Sequence, residues 1–340
     1  MTNSITDVAG VLVGHHQRVD DGWATGSTVV LLPAGTTGAV DGRGGAPGTR
    51  ETDLLLPENL VQQVDAICLS GGSAYGLAAA DGVMRWLSER KRGYRVGAAE
   101  HEVVPIVPAA VIFDLPVSEW GNRPDASFGY TACANAAEEF PLGSVGAGTG
   151  ARVGRLKGGI GTASVEVDGF TVGALAVVNA AGSAVDLATG VPYAADHEVA
   201  GEFGRSWPNT PGAFPPAEPS GLNTTIGVVA VDADLTKTEC RRLAVAAQDG
   251  LARAIRPAHT MFDGDTVFAV ATRARSLGVE DGPFGPVARA GVLDRLCTAA
   301  AEAFARAIVH GVLSATSLAG LPSYGDVWPV STGGRTPPSP

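Results

Sequence analysis

Charge is scarce in this 340-residue sequence, and basic charge scarcer still. Charged residues are 17% of the chain, with 24 Lys and Arg against 35 Asp and Glu, a formal net charge of −11. An acidic surface repels phosphate backbones, which argues against nucleic acid as a partner. The one basic cluster, Arg90-Lys91-Arg92, reads as a solvated helix end. Cysteine is scarce too. Cys68, Cys133, Cys240 and Cys297 stand far apart with no C-x-x-C spacing, so reduced core thiols are expected and a metal site is not. The chain does not open on a basic segment followed by an apolar run, so no signal peptide is expected. Apolar runs are short or interrupted by Gly, Asp and Asn, which argues against a membrane span. The expectation is a soluble, cytoplasmic protein.

Hydrophobic residues make up 45% of the chain, enough for a packed core, which argues against disorder over most of its length. The length exceeds one average domain but suits a single large α/β domain. Glycine is abundant at 46 residues, which suits close-packed layers and tight turns.

Strands are expected around VLVG near Val11 and over GSTVVLL from Gly26, followed by a glycine-rich loop from Ala39 to Arg50. Ala66 to Leu69 reads as a strand running into Ser70-Gly71-Gly72. Ser73 is placed to cap a helix with Tyr75, Leu77, Val83, Trp86 and Leu87 on its apolar face. PAAVIFDL reads as a loop and strand, and Ala126 to Glu139 as a helix. Thr162–Val167 and Thr171–Asn179 alternate around Asp168-Gly169, as a hairpin does. Glu202 to Leu222 carries Pro208, Pro211, Pro215, Pro216 and Pro219 and reads as an exposed linker. After it come a buried strand, TIGVVAVD, a helix over Thr236–Ala254, a strand over Asp265–Thr272 and a long helix over Val287–Leu313. The tail from 331 to 340 is expected to be disordered. The mixture of hairpins and helices calls for two sheets between helical layers.

The most informative point is Asn223-Thr224-Thr225, where the proline-rich segment meets the buried strand. A side chain there is held rigidly while the chain before it can leave. If the Asn223–Thr224 bond breaks, Thr224 gains an α-amine, a group that ordinarily titrates at roughly 7.7–8.0. Such an amine can take the proton from its own hydroxyl, so no separate histidine is needed. A threonine opening a strand is structural in most proteins. Asp263-Gly264-Asp265, about forty residues on, stands at the start of another strand. Its acids could orient that amine and hydroxyl, or simply form a turn. The further oxygen ligands of a calcium loop are absent. Ser70-Gly71-Gly72-Ser73-Ala74-Tyr75-Gly76 lacks the order of a phosphate loop. Trp86, Trp120 and Trp207 read as packing residues.

The stretch LNTTIGVVAVDADLTKTECRRLAVAAQDGLARAIRPAHTMFDGDTVFAVAT resembles the self-cleaving core of the DmpA-type peptidase family. GGSAYGLAAADGVMRWL and VPAAVIFDL resemble it as well, and the likeness runs over roughly residues 3 to 329. The family includes D-aminopeptidase/esterases, β-peptidyl aminopeptidases and nylon-oligomer endohydrolases. The resemblance implies an α/β fold, a four-layer αββα sandwich of the kind shared with ornithine acetyltransferases. It implies an amidohydrolase made of two chains, 1–223 and 224–340, from one precursor, in a homotetramer and with no metal or organic cofactor. The implied substrates are short peptides, amides or esters.

By the resemblance, Thr224 matches the nucleophile, and Asp263 and Asp265 match its supporting pair. Asn179, at the end of VGALAVVN, matches an asparagine that stabilises the oxyanion. A functional lysine falls on Lys157 or, by the gap-free match, nearer Arg155; for Lys157 the structural alternative is a surface residue. Phe113 stands where the nylon-oligomer enzymes carry tyrosine, which puts nylon specificity in doubt. Ser73, Tyr75, Phe113 and Arg155 are expected to line the substrate cleft. Endo-hydrolysis of 6-aminohexanoate oligomers, acyl transfer of the ornithine-acetyltransferase type and a catalytically dead binding protein are the competing readings.

Overall fold

The computed structural model describes residues 1–214, 222–278 and 282–329. The expected tail at 331–340 and the prolines at 215, 216 and 219 lie outside the described residues. The chain runs β1 (Leu12–Arg18), β2 (Thr25–Leu31), β3 (Thr37–Gly42), β4 (Thr49–Arg50), β5 (Ala66–Ser70), α1 (Ala79–Ser88), β6 (Tyr94–Arg95), β7 (Val103–Val104), β8 (Ala109–Val111) and α2 (Ala126–Ala134). It continues through β9 (Arg152–Val153), β10 (Leu156–Lys157), β11 (Ile160–Val167), β12 (Phe170–Val177), β13 (Ile226–Ala233), α3 (Lys237–Ala254), β14 (Thr266–Arg275), α4 (Gly285–Leu313) and α5 (Tyr324–Val327).

Two five-stranded sheets carry the fold, in the orders β1-β2-β5-β8-β4 and β11-β12-β13-β14-β3. Each has one parallel pair, β5 with β8 and β13 with β14; the other neighbours are antiparallel. Side-chain alternation sets the layers. On β13, Ile226, Val228 and Ala230 face the first sheet, while Val229, Val231 and Ala233 face α3 and α4. On β2, Val30 lies between the sheets, while Val29 and Leu31 pack with Ala79, Val83 and Leu87 of α1 and Ala132 and Cys133 of α2. The result is four layers, αββα. A strand buried on both faces needs apolar residues at successive positions, and VVAV in β13 supplies them.

The helices follow from local chemistry. Thr236 caps α3 by accepting from the Glu239 amide, and Glu239 reaches back to the cap, a capping box. Helix α4 is long and apolar enough to cross a membrane, contrary to the sequence expectation. However, 78% of its apolar window is buried in the fold, where it packs on α3, β11 and β12. Each fully buried Leu, Ile or Phe on these faces contributes roughly 1.5–3 kcal/mol.

Other expectations need correction. The glycine-rich stretch from Ala39 opens on the last four residues of β3, paired through Asp41 and Gly42 with β14, because edge pairing overrides the low strand preference of Gly and Asp. Ser73 caps nothing. Gly72 holds the cap position with φ +82°, and a 3-10 turn over Ser73–Ala78 precedes α1. Tyr75 is exposed beneath the Arg123 guanidinium and is not on a buried face. Trp120 is 77% exposed and packs in no core. Helix α2 ends at Ala134, short of Glu139. The hairpin, the capped helix α3 and the strands at 226 and 266 stand where the pattern placed them. All four cysteines are free thiols, three of them buried.

Candidate active site

Three strand ends meet at one edge of the second sheet. Antiparallel β12 ends there, and parallel β13 and β14 begin there, with Val177 opposite Ile226 and Ile226 opposite Thr266. This register places Asn179, just past β12, beside Thr224, just before β13, and beside Asp263 and Asp265, just before β14. All four side chains are buried.

Thr224 sits in a backbone clamp. Its N–H donates to the Asn179 carbonyl at 2.7 Å. Its hydroxyl donates to the carbonyl of Asn223, the bond directly before it. The Gly264 N–H reaches both the Thr224 Oγ1 and the Asn223 carbonyl at 3.2 Å. The Asn223 N–H donates to the Phe262 carbonyl at 2.9 Å, so Asn223 lies as a short parallel bridge against Asp263.

The two aspartates are fixed by different partners. Oδ1 of Asp265 accepts from the Thr225 N–H at 2.8 Å, and Oδ2 accepts from the His259 N–H at 3.1 Å and meets His259 Nδ1 at 2.8 Å. Oδ1 of Asp263 accepts from the Ala181 N–H at 3.1 Å, and Oδ2 from the Thr260 N–H and hydroxyl at 3.0 and 2.5 Å. The glycine-rich loop wraps this turn. Ala46 N–H donates to the Asp263 carbonyl at 2.9 Å, and a Cβ on Gly44 (φ +92°) would stand 2.4 Å from that carbonyl oxygen. Only glycine allows the approach.

Asn179 is held from one end. Its Oδ1 accepts from the Arg152 N–H at 3.0 Å, while its Nδ2 is buried with no partner among the described residues. A buried amide donor left open costs stability unless something fills it. Here it is available for a developing oxyanion.

Lys157 is fully buried, so the surface-lysine alternative fails. Its Nζ donates to the carbonyls of Gly148 and Gly158 at 2.7 and 2.8 Å. Burial pushes its ammonium down to about 7, against the attraction of Asp114. Burial likewise pushes the Asp114 carboxyl up to about 6, against its bonds from the Thr25 hydroxyl and the Gly72 N–H and the charge of Lys157. Gly158, next in the chain, packs on the Val178 carbonyl beside Asn179. Arg155 lies elsewhere, its guanidinium 4.6 Å from the Phe214 ring. Of the two, Lys157 is the one turned into the fold.

Ser73, Tyr75 and Phe113 flank Asp114 and the end of β5 in the first sheet. None of them hydrogen-bonds Thr224, Asp263 or Asp265 among the described residues. The residue that sequence reasoning missed is His259. The signal available was a histidine six positions before Asp265 in AHTMFDGD. Among the described residues, no group of three or more His, Cys, Asp and Glu could hold a metal.

Residues 3–324 match peptidase family S58. An uncharacterized aminopeptidase of Mycobacterium tuberculosis is 56% identical, over 97% of this chain and 99% of that protein. A 6-aminohexanoate-oligomer endohydrolase of Kocuria is 34% identical, over 78% of this chain and 74% of its own length. The solved structure of the L-aminopeptidase D-Ala-esterase/amidase of Ochrobactrum anthropi, a variant of the Ntn hydrolase fold, superposes with a TM-score of 0.70. It is 22% identical, over 95% of this chain and 91% of its own, a likeness of fold.

Proposed function

The chain belongs to peptidase family S58 and is a hydrolase of peptide-type C–N bonds, and from that premise we propose that it cuts itself before Thr224 and works as an N-terminal-threonine aminopeptidase. The observation that carries this reading is the position of the Thr224 hydroxyl against the Asn223 carbonyl, at the junction where Asn179, Asp263 and Asp265 converge.

In the first step Oγ1 bonds to the Asn223 carbonyl carbon and its proton passes to the Thr224 nitrogen. The C–N bond breaks, leaving residues 1–223 as an ester on the Thr224 oxygen. Water hydrolyses the ester and releases the Asn223 carboxylate. The two chains stay joined through the pairing of β12 with β13 and of β3 with β14.

In turnover, the new amine takes the proton from Oγ1, and the oxygen attacks the substrate carbonyl. Asn179 Nδ2 and the Gly264 N–H stabilise the oxyanion, each such donor contributing on the order of 2.7–4 kcal/mol to the barrier. The amine returns the proton to the leaving nitrogen, and water, deprotonated by the same amine, cleaves the acyl-threonine ester. Asp265 orients the Thr224–Thr225 peptide, and Asp263 holds the turn whose Gly264 N–H meets the nucleophile. Lys157 ties down the loop behind Asn179 through the carbonyls of Gly148 and Gly158.

The substrates of this reading are short peptides, amides or esters. The 56% likeness to an aminopeptidase favours it over nylon-oligomer hydrolysis, and Phe113 in place of tyrosine points the same way. The assembly is a cytoplasmic homotetramer of processed pairs. The purified protein, offered an aminoacyl p-nitroanilide, a 6-aminohexanoate oligomer and an acyl ester with an amine acceptor, separates the readings. Release of p-nitroaniline as the fastest reaction supports the proposal. Faster oligomer cleavage, or acyl exchange with little hydrolysis, replaces it.

A further inference from the structure

His259 lies outside the set of residues that the sequence singled out, yet it makes two of the three hydrogen bonds to the Asp265 carboxylate. Its backbone holds φ +56°, a left-handed conformation that a histidine keeps only where its surroundings fix it. The ring is largely buried, and its Nε2 has no partner among the described residues. With Nδ1 against a carboxylate, Nδ1 is the donor. The strained backbone therefore aims an N–H from both main chain and ring at one oxygen, Oδ2. That leaves Oδ1 turned to the Thr225 amide, the peptide next to the nucleophile.

We infer that His259 is a positioning residue, which holds Asp265 in the rotamer that fixes the Thr224–Thr225 peptide and so sets both the self-cleavage rate and the turnover rate. The inference rests on the reading of Thr224 as nucleophile. The charged groups next to the ring along the loop are Asp265 at the start of β14 and Asp263 in the turn before it. None but Asp265 bonds the imidazole among the described residues, so the action passes through that one carboxylate.

A matched pair of variants tests this. Asn and Asp both tolerate the left-handed backbone and have the same size, but only Asn offers an N–H near the position of Nδ1. His259→Asn is expected to split and turn over within about threefold of wild type, and His259→Asp to lose about a hundredfold in both rates at unchanged KM, the scale of a displaced reacting group. Rates are normalised to the folded fraction from circular dichroism. Equal rates in the two variants overturn the inference, as does a loss confined to KM or one that vanishes on normalisation. Failure of both to fold also overturns it, because the hydrogen bond would then not be what His259 supplies. A wild type that neither splits nor hydrolyses any substrate overturns instead the functional reading beneath it.

Discussion

The N–H of Thr224 donates to the Asn179 carbonyl at 2.7 Å, while the side-chain NH₂ of the same asparagine is buried without a partner among the described residues. One residue thus holds the Thr224 nitrogen through its backbone carbonyl and keeps a buried side-chain donor open. The arrangement follows from the register of β12 on β13, which puts the second residue after one strand beside the second residue before the other.

If that donor serves the oxyanion, its loss acts on the transition state and not on substrate binding. Asn179→Ala is predicted to lower kcat by about 10²–10³-fold with little change in KM. Steady-state kinetics on a p-nitroanilide check it. A rise in KM at unchanged kcat would assign Asn179 to substrate binding.

Lys157 gives a pH signature. Its folded value is pushed down to about 7 from 10.5, so between those limits the unfolded chain binds more protons than the folded one. Stability from this group therefore rises with pH from about 7 toward 10.5. Denaturant unfolding at pH 7 and pH 9 is predicted to show a rise in wild type that is smaller in Lys157→Met.

Glu202 and Arg306 lie on opposite sides of the proposed cut. Glu202 takes a two-pronged bond from Arg306 at 2.5 and 2.7 Å and meets His310 at 2.9 Å. Burial opposes its charge, but the bonds from His310 and Arg306 outweigh it and hold the carboxyl well below its ordinary 4.5. The depressed value means that this stabilisation is full above pH 4.5 and is lost as pH falls below it. Glu202→Gln, which removes the carboxylate that balances the buried Arg306 charge, is predicted to cost about 3–5 kcal/mol. Thermal melting at pH 7 and pH 4 checks both statements, the variant losing less on acidification than wild type.

Gly158 tests the packing behind the site. A Cβ there would stand 1.8 Å from the Val178 carbonyl, next to Asn179. Gly158→Ala is predicted to destabilise by about 3 kcal/mol and to slow chain splitting, since Val178 must move. A melting curve and a processing time course measure the two effects.

The layers were legible in the sequence because the hairpin pattern of β11 and β12, the continuous apolar run of β13 and the helical spacing of α3 are local signals. Thr224 and the Asp263–Asp265 pair were legible as a linker-to-strand junction and a turn at a strand start, and the family likeness put them in register. Burial of Lys157 was not, because no spacing marks a lysine whose partners are the carbonyls of Gly148 and Gly158. His259 was hidden for a similar reason. Its bond to Asp265 depends on a left-handed backbone that a lone histidine does not announce. Strand β3 was masked by its own Gly and Asp residues and exists through its pairing with β14.

The central claim is that Thr224 is both the point of cleavage and the nucleophile. Intact-mass spectrometry of purified wild type, Thr224→Ser and Thr224→Ala tests it most directly. Two species, residues 1–223 and 224–340, are expected for wild type and for Thr224→Ser, which keeps a hydroxyl, and a single full-length species for Thr224→Ala. A Thr224→Ala protein that splits at the same bond, or a wild type that hydrolyses substrate while remaining one chain, would contradict it.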